Sequence, residues 1–151
     1  MGTGTATGTA TAVATATDAY AGGMKQPRNP DTTHAPVGRY VHQIEVSGES
    51  RTLFLSGQVG MRPDGSLPED SVEQLGVAME NVLANLQAAG FEPTDLVKLT
   101  TYVVGTMDPA GRRAQLDRLL GAHVTTSTLI FVAALASPEY KVEVDAWATR
   151  A

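Results

Sequence analysis

The residues best suited to moving protons stand near the end of the chain. In Lys141-Val142-Glu143-Val144-Asp145-Ala146-Trp147, charged and apolar residues alternate strictly, the period of a strand whose successive side chains point to opposite faces. Val142, Val144 and Ala146 therefore face one way, and Glu143, Asp145 and Trp147 the other. A carboxylate on such a face, partly withdrawn from water, can act as a general base or acid. Glu143 is the first candidate. His42, in Tyr40-Val41-His42-Gln43-Ile44, is the second, because a neutral imidazole exchanges protons near neutrality. It shares a strand face with Tyr40 and Ile44. Two roles stay open to it: proton transfer, or a half-buried ring bonded to backbone. His34 precedes the domain and is read as incidental. Three histidines without ligand-like spacing, and no cysteine, lead us to expect no metal site.

Composition narrows the field further. Without cysteine there are no disulfides and no thiolate nucleophiles. A formal net charge of -5 disfavours nucleic acid as a partner, since phosphate neutralisation needs clustered Lys and Arg, and the only dense basic pair is Arg112-Arg113. No apolar run approaches the roughly 20 residues that cross a bilayer, and no basic start followed by an apolar run marks a secretory signal, so a cytoplasmic protein is expected. Aromatic residues make up 5% of the chain. Its core must therefore come from Val, Leu, Ile, Ala and Met, and a small domain of that kind gains from oligomerising.

The elements that would position these residues follow from periodicity. Met1 to about Ala21 repeats Gly, Thr and Ala with almost nothing to bury and reads as a mobile tail. Prolines at 27, 30 and 36 favour an extended approach. Residues 1–34 are thus expected to be tail and linker, and residues 35–151 one domain. Tyr40–Val46 and Arg51–Ser56 read as a hairpin around Ser47-Gly48-Glu49-Ser50. Gly57 and Gly60, ending it, permit a bulge or close backbone approach. Asp70-Ser71 caps a helix over 71–89, with Glu73 or Gln74 placed to complete a capping box. Val72, Leu75, Met79, Val82, Leu83 and Leu86 form its buried face, and Gly90 ends it. Val97–Val104 is a strand. Asp108-Pro109 opens a second helix with Leu116, Leu119 and Leu120 on its buried edge and Gly121 at its end. Thr128–Val132 is apolar on both faces, as expected of an interior strand, and the turn Ala136–Glu139 is expected to fold it into a hairpin with 141–147. The order strand, strand, helix, strand, helix, strand, strand describes an α+β layer with two helices on one face of a mixed sheet. The other face needs a cover, and a partner subunit supplies it economically.

Four motifs in this order carry a resemblance: Gly38-Arg39-Tyr40 before the first strand, Leu55-Ser56-Gly57-Gln58 ending the second, Glu80-Asn81-Val82-Leu83 in the helix, and Val142-Glu143-Val144-Asp145-Ala146 at the end. Together they resemble the RidA/YjgF family of reactive imine deaminases over roughly Ala35 to Ala148. The resemblance implies a chorismate-mutase-like β-β-α-β-α-β-β fold and a homotrimer with a barrel-like sheet interior and clefts between subunits. It further implies hydrolysis of imine or enamine acids to keto acids and ammonia without a cofactor. It carries Tyr40 over as a residue beside the cleft, Ser56 and Gly57 as its wall and Glu143 as the group working with water. Two positions depart from the pattern. The arginine that grips the substrate carboxylate falls on Ser127, and no arginine lies between Ala122 and Ala148. His42 stands for a common glutamine, and Arg113 for a common asparagine.

Arginine holds a carboxylate through two parallel charge-assisted donors, whereas serine offers one neutral donor. Ser127 is therefore expected to be a poor anchor. Arg39 or Arg113 could bring a guanidinium from another direction, or could simply be surface residues. Three functions follow as alternatives: an enzyme acting on an imine, enamine or related small molecule; a pathway-specific cyclisation, dehydration or tautomerisation catalyst; and a trimeric ligand-binding or regulatory protein.

Overall fold

The computed structural model describes residues 24–150. The expected mobile tail and the C-terminal Ala151 lie outside these residues. Six strands, two helices and a short 3-10 turn follow in order: β1 (Met24–Arg28), β2 (Gln43–Ser47), β3 (Arg51–Val59), α1 (Ser71–Ala88), the turn Pro93–Asp95, β4 (Leu96–Val104), α2 (Pro109–Leu120), β5 (Thr126–Val132) and β6 (Val142–Arg150). The mixed sheet runs β3-β6-β4-β5, and β1-β2 forms a separate two-stranded ribbon.

α1 begins where Asp70 accepts the backbone N–H groups of Val72 and Glu73, two donors a helix start leaves unpaired. Gln74 does not complete a capping box. Its side chain is fully buried, donates to the carbonyls of Pro68 and Glu139, and accepts the N–H of Lys141, tying the helix start to the start of β6. Leu75, Met79, Val82 and Leu86 are fully buried against Val142, Val144, Ala146 and Ala148 of β6, the apolar side of the alternation. Each such side chain contributes about 1.5–3 kcal/mol by leaving water. Gly60 marks how closely the layers approach, since a Cβ there would lie 2.6 Å from Gln74 Cα. α2 starts at Asp108, which accepts the N–H groups of Ala110 and Gly111. It ends at Gly121, whose φ of 55° is in the glycine-favouring region.

Both expected hairpins are corrected. β2 pairs antiparallel with β1, not with β3; the ladder comes from Met24–Arg28, where Pro27 and the prolines that follow had suggested only an extended approach. β5 and β6 are not neighbours either. β6 lies between β3 and β4, antiparallel to both, while β5 pairs parallel with β4. The cause is the fully buried row on β6, which suits the central place under α1. The nine residues from Ala133 to Lys141 are long enough to carry the chain past β4. β5 is left at the edge, with Phe131 58% exposed, so the interior position expected of it is not met within one chain.

Candidate functional site

Opposite the helices, the sheet presents its second row of side chains. The register sets Glu143 across from Tyr102 on β4 and from Val59 on β3, Asp145 across from Thr100, and Trp147 between Lys98 and Phe54. The β3–β6 ladder shifts between Leu55 and Gln58, leaving Ser56 and Gly57 as a bulge, a feature that often re-aims side chains beside functional sites. Here the bulge receives Glu143. A Cβ on Gly57 would fall 1.7 Å from Glu143 Oε1 and 2.6 Å from its carboxyl carbon, so only glycine lets the carboxylate rest there. Around it is a cavity of about 310 Å3 lined by Gly57, Tyr102, Val132, Ala134, Leu135, Glu143 and Asp145. A larger one of about 720 Å3 adjoins it, sharing Gly57 and Asp145 and adding Ser56, Lys98, Thr100 and Trp147.

The Tyr102 hydroxyl donates to Asp145 Oδ2 at 3.0 Å. That bond, then burial, then the negative charges of Asp145 and Glu143 push the phenol above the ordinary tyrosine range. The result is a neutral donor held beside two carboxylates. Tyr102 and Asp145 were not picked out as site residues by sequence reading, although Lys98, Thr100 and Tyr102 recur at the two-residue step of one strand face.

The remaining candidates lie elsewhere in the single chain. The Tyr40 hydroxyl accepts the Val37 N–H at 3.3 Å. His42 Nε2 lies 2.7 Å from the His34 carbonyl, and its ring meets those of His34 and Tyr40 edge to face. Neither Tyr40 nor His42 lines the Glu143 cavity. Ser127 pairs with Leu99, and alternation puts it on the helix-side parity of the sheet, away from Glu143. Arg39, with its side chain 13% exposed, pairs with Asp117 at 2.8 Å and donates to the Gly121 carbonyl. Arg113 is 69% exposed and 3.7 Å from the same aspartate. Both line a third cavity of about 330 Å3 beside α2, together with Arg112. One chain thus brings together Glu143, Gly57 and Ser56, and leaves Tyr40, His42, Ser127, Arg39 and Arg113 apart from them. No cluster of three or more His, Cys, Asp or Glu able to hold a metal ion occurs among the described residues. No helix among them is long and apolar enough to cross a membrane.

This fold and this glycine-seated glutamate define a class that comparison with known proteins identifies. The family model described as "Endoribonuclease L-PSP" matches residues 32–150. A RutC family protein of Aquifex aeolicus is 40% identical over 81 residues, 53% of this chain and 59% of that protein. The 2-iminobutanoate/2-iminopropanoate deaminase of Escherichia coli is 30% identical over 125 residues, 79% of this chain and 94% of that one. Among solved structures, the conserved Rid-family protein YyfB of Yersinia pestis superposes with a TM-score of 0.73 at 34% identity, covering 82% of this chain and 97% of that one. Escherichia coli TdcF with bound serine gives 0.62 at 28% identity, covering 77% and 91%. The chain belongs to the RidA/YjgF family.

Proposed function

We propose that this protein is a cofactor-independent hydrolase of imines or enamines, with Glu143 as the residue that handles the proton of the attacking water. The observation that carries the reading is the seat of Glu143: a half-buried carboxylate laid on Gly57 at a strand bulge, facing a cavity with a neutral Tyr102 hydroxyl nearby. In the reaction, water adds to the imine carbon while its proton passes to Glu143. The same carboxyl returns a proton to nitrogen, and the carbinolamine collapses to a carbonyl compound and ammonia.

Assembly completes the cleft in this reading. Phe54, Ile130 and Trp147 are exposed on the open face of the sheet and Leu129 and Phe131 on the other side of its edge strand β5, apolar surface that a neighbouring copy would cover. We propose a homotrimer with a barrel-like interior, in which Tyr40 and the Arg113 region of one subunit face the Glu143 cavity of the next. Arg113 suits substrate contact better than Arg39, because Arg39 is already committed to Asp117 and Gly121. With no arginine between Ala122 and Ala148, the substrate is selected less through a carboxylate than in an arginine-bearing site.

The test compares two imines generated in place, one by an amine oxidase and one by an amino-acid oxidase. Faster appearance of the carbonyl product with the first, and weak acceleration with the second, is expected. No acceleration with either overturns the reading, and saturable binding without turnover would favour a ligand-binding protein instead. Robust turnover of the amino-acid-derived imine would contradict the specificity drawn from the missing arginine. The nucleolytic activity named in the family description finds less support, given the net charge of -5 and the electrostatics of phosphate binding.

A further inference from the structure

Glu143 reaches its cavity from one flank of β6. Its carboxyl group rests on Gly57 of β3, whereas Tyr102 enters the same cavity from β4, the neighbour of β6 on the other side. The two are partners in the β4–β6 ladder and so stand on one face of the sheet. Asp145 completes the β4 flank: it accepts the Tyr102 hydroxyl at 3.0 Å and lines the cavity as well. Phe54 and Trp147, part of the apolar surface given to subunit contact, do not line it.

The direction of the Tyr102 bond decides what the phenol can do. With its proton turned to Asp145, the oxygen keeps acceptor capacity, and among the described residues its bond to Asp145 is the one hydrogen bond of the side chain. Such a hydroxyl is the middle of a relay: it takes a proton on one side while giving its own to the carboxylate on the other, and never has to accumulate as phenolate. The bond to Asp145, then burial and the nearby negative charges, hold the phenol protonated above the ordinary tyrosine range. Imine hydrolysis has a use for such a group. In its last step the nitrogen must carry a proton to leave, and the hydroxyl must lose one to become a carbonyl. Seated on Gly57, Glu143 meets the tetrahedral carbon from the β3 flank, and the Tyr102 oxygen meets it from the β4 flank.

We infer that Tyr102 is a second catalytic residue of this site, drawing the proton off the carbinolamine hydroxyl, and that Asp145 positions it and receives the relayed proton. The inference rests on the hydrolase reading of the Glu143 cavity. Water adds to the carbon of the protonated imine and loses a proton to Glu143, which leaves a neutral carbinolamine. Glu143 returns that proton to nitrogen. The carbon–nitrogen bond then breaks with its electron pair leaving on ammonia, and the oxygen–hydrogen pair becomes the second carbonyl bond. As it does so, the hydroxyl proton passes to Tyr102 Oη and the Tyr102 proton to Asp145 Oδ2. Asp145 gives it up to the departing ammonia, so that protonated imine and water become carbonyl compound and ammonium.

The test uses the full-length protein and the imine generated in place by an amine oxidase. Tyr102→Phe keeps the ring and removes the relay oxygen. Asp145→Asn still accepts the Tyr102 hydroxyl but cannot take its proton, which separates proton transfer from mere support of the ring. Each should lower kcat by about 10²-fold and leave KM within about twofold, with circular dichroism and light scattering unchanged. The double variant should lose no more than either single one, because both break the same relay. Either single variant decides the matter if the other fails to fold. Parental kcat in Asp145→Asn or Tyr102→Phe would overturn the relay, as would a loss confined to KM or losses that multiply in the double variant. Turnover abolished by Glu143→Gln but kept in both relay variants would sink this inference and leave the hydrolase reading standing. No turnover by the parent protein would overturn that reading, and the relay with it.

Discussion

The two faces of β6 are made from alternate residues of one nine-residue strand, yet they have opposite fates. Val142, Val144, Ala146 and Ala148 are fully buried under α1. Glu143, Asp145 and Trp147 look onto cavities, and Trp147 is 50% exposed. The closed face is finished within one chain: its apolar partners come from the helix, and its fully buried polar side chain, Gln74, has three backbone partners. The open face has charges with spare bonding capacity, an aromatic pair, Phe54 and Trp147, with centroids 5.0 Å apart, and no helix above it. One strand therefore divides stability from chemistry by parity alone.

That division can be broken deliberately. The largest effect is expected from Gly57→Ala, since the new Cβ would overlap Glu143 Oε1 and drive the carboxylate out of its seat. Turnover should fall roughly 10²–10⁴-fold, as on losing a general base, with circular dichroism unchanged; near-normal kcat would show that Glu143 need not lie on Gly57. On the closed face, Leu75→Ala leaves a cavity in a fully buried site and should cost about 2–5 kcal/mol in denaturant unfolding. A loss below 1 kcal/mol on the order of a surface change would contradict the packing described.

Phe54→Ser on the open face sharpens the contrast. It should change subunit stability much less than Leu75→Ala, because Phe54 is 65% exposed in one chain. It should nevertheless weaken assembly measured by light scattering as a function of concentration. An unchanged mass distribution would place the interface elsewhere. The smallest effect concerns the ionisation of Tyr102, whose folded-state value is raised. Its contribution to stability is intact below the ordinary tyrosine value of about 10 and is lost as pH rises through the folded value. In an ultraviolet pH titration one phenol should ionise later than the rest, and Tyr102→Phe should remove that late component; a late component that survives would assign it to another tyrosine.

Much of this was legible in the sequence wherever local chemistry decides the outcome. The caps at Asp70 and Asp108, the glycines at 90 and 121 and the alternation in 141–147 are one-element signals, and each appears where the residues require it. Strand pairing was less legible, because it depends on which strand best fills the centre of the sheet. The turn at Ala136–Glu139 looked like a hairpin, but burial of the β6 apolar row under α1 outweighs proximity in the chain. The site divides in the same manner. Glu143 and Gly57 could be paired through family motifs, and the structure brings their atoms together. Tyr102 went unnoticed because its importance arises from a neighbour on another strand, Asp145. His42, attractive as an imidazole, bonds to the His34 carbonyl and stands outside the Glu143 cavity.

The most direct test of the account is the rate of Glu143→Gln on an imine that the parent protein hydrolyses. Glutamine keeps the shape and most of the hydrogen bonding but cannot take a proton from water. The rate should therefore drop on the order of 10²–10⁴-fold while fold and assembly stay intact. A variant with the parent's turnover would remove Glu143 from the mechanism and with it the proposed chemistry of this site.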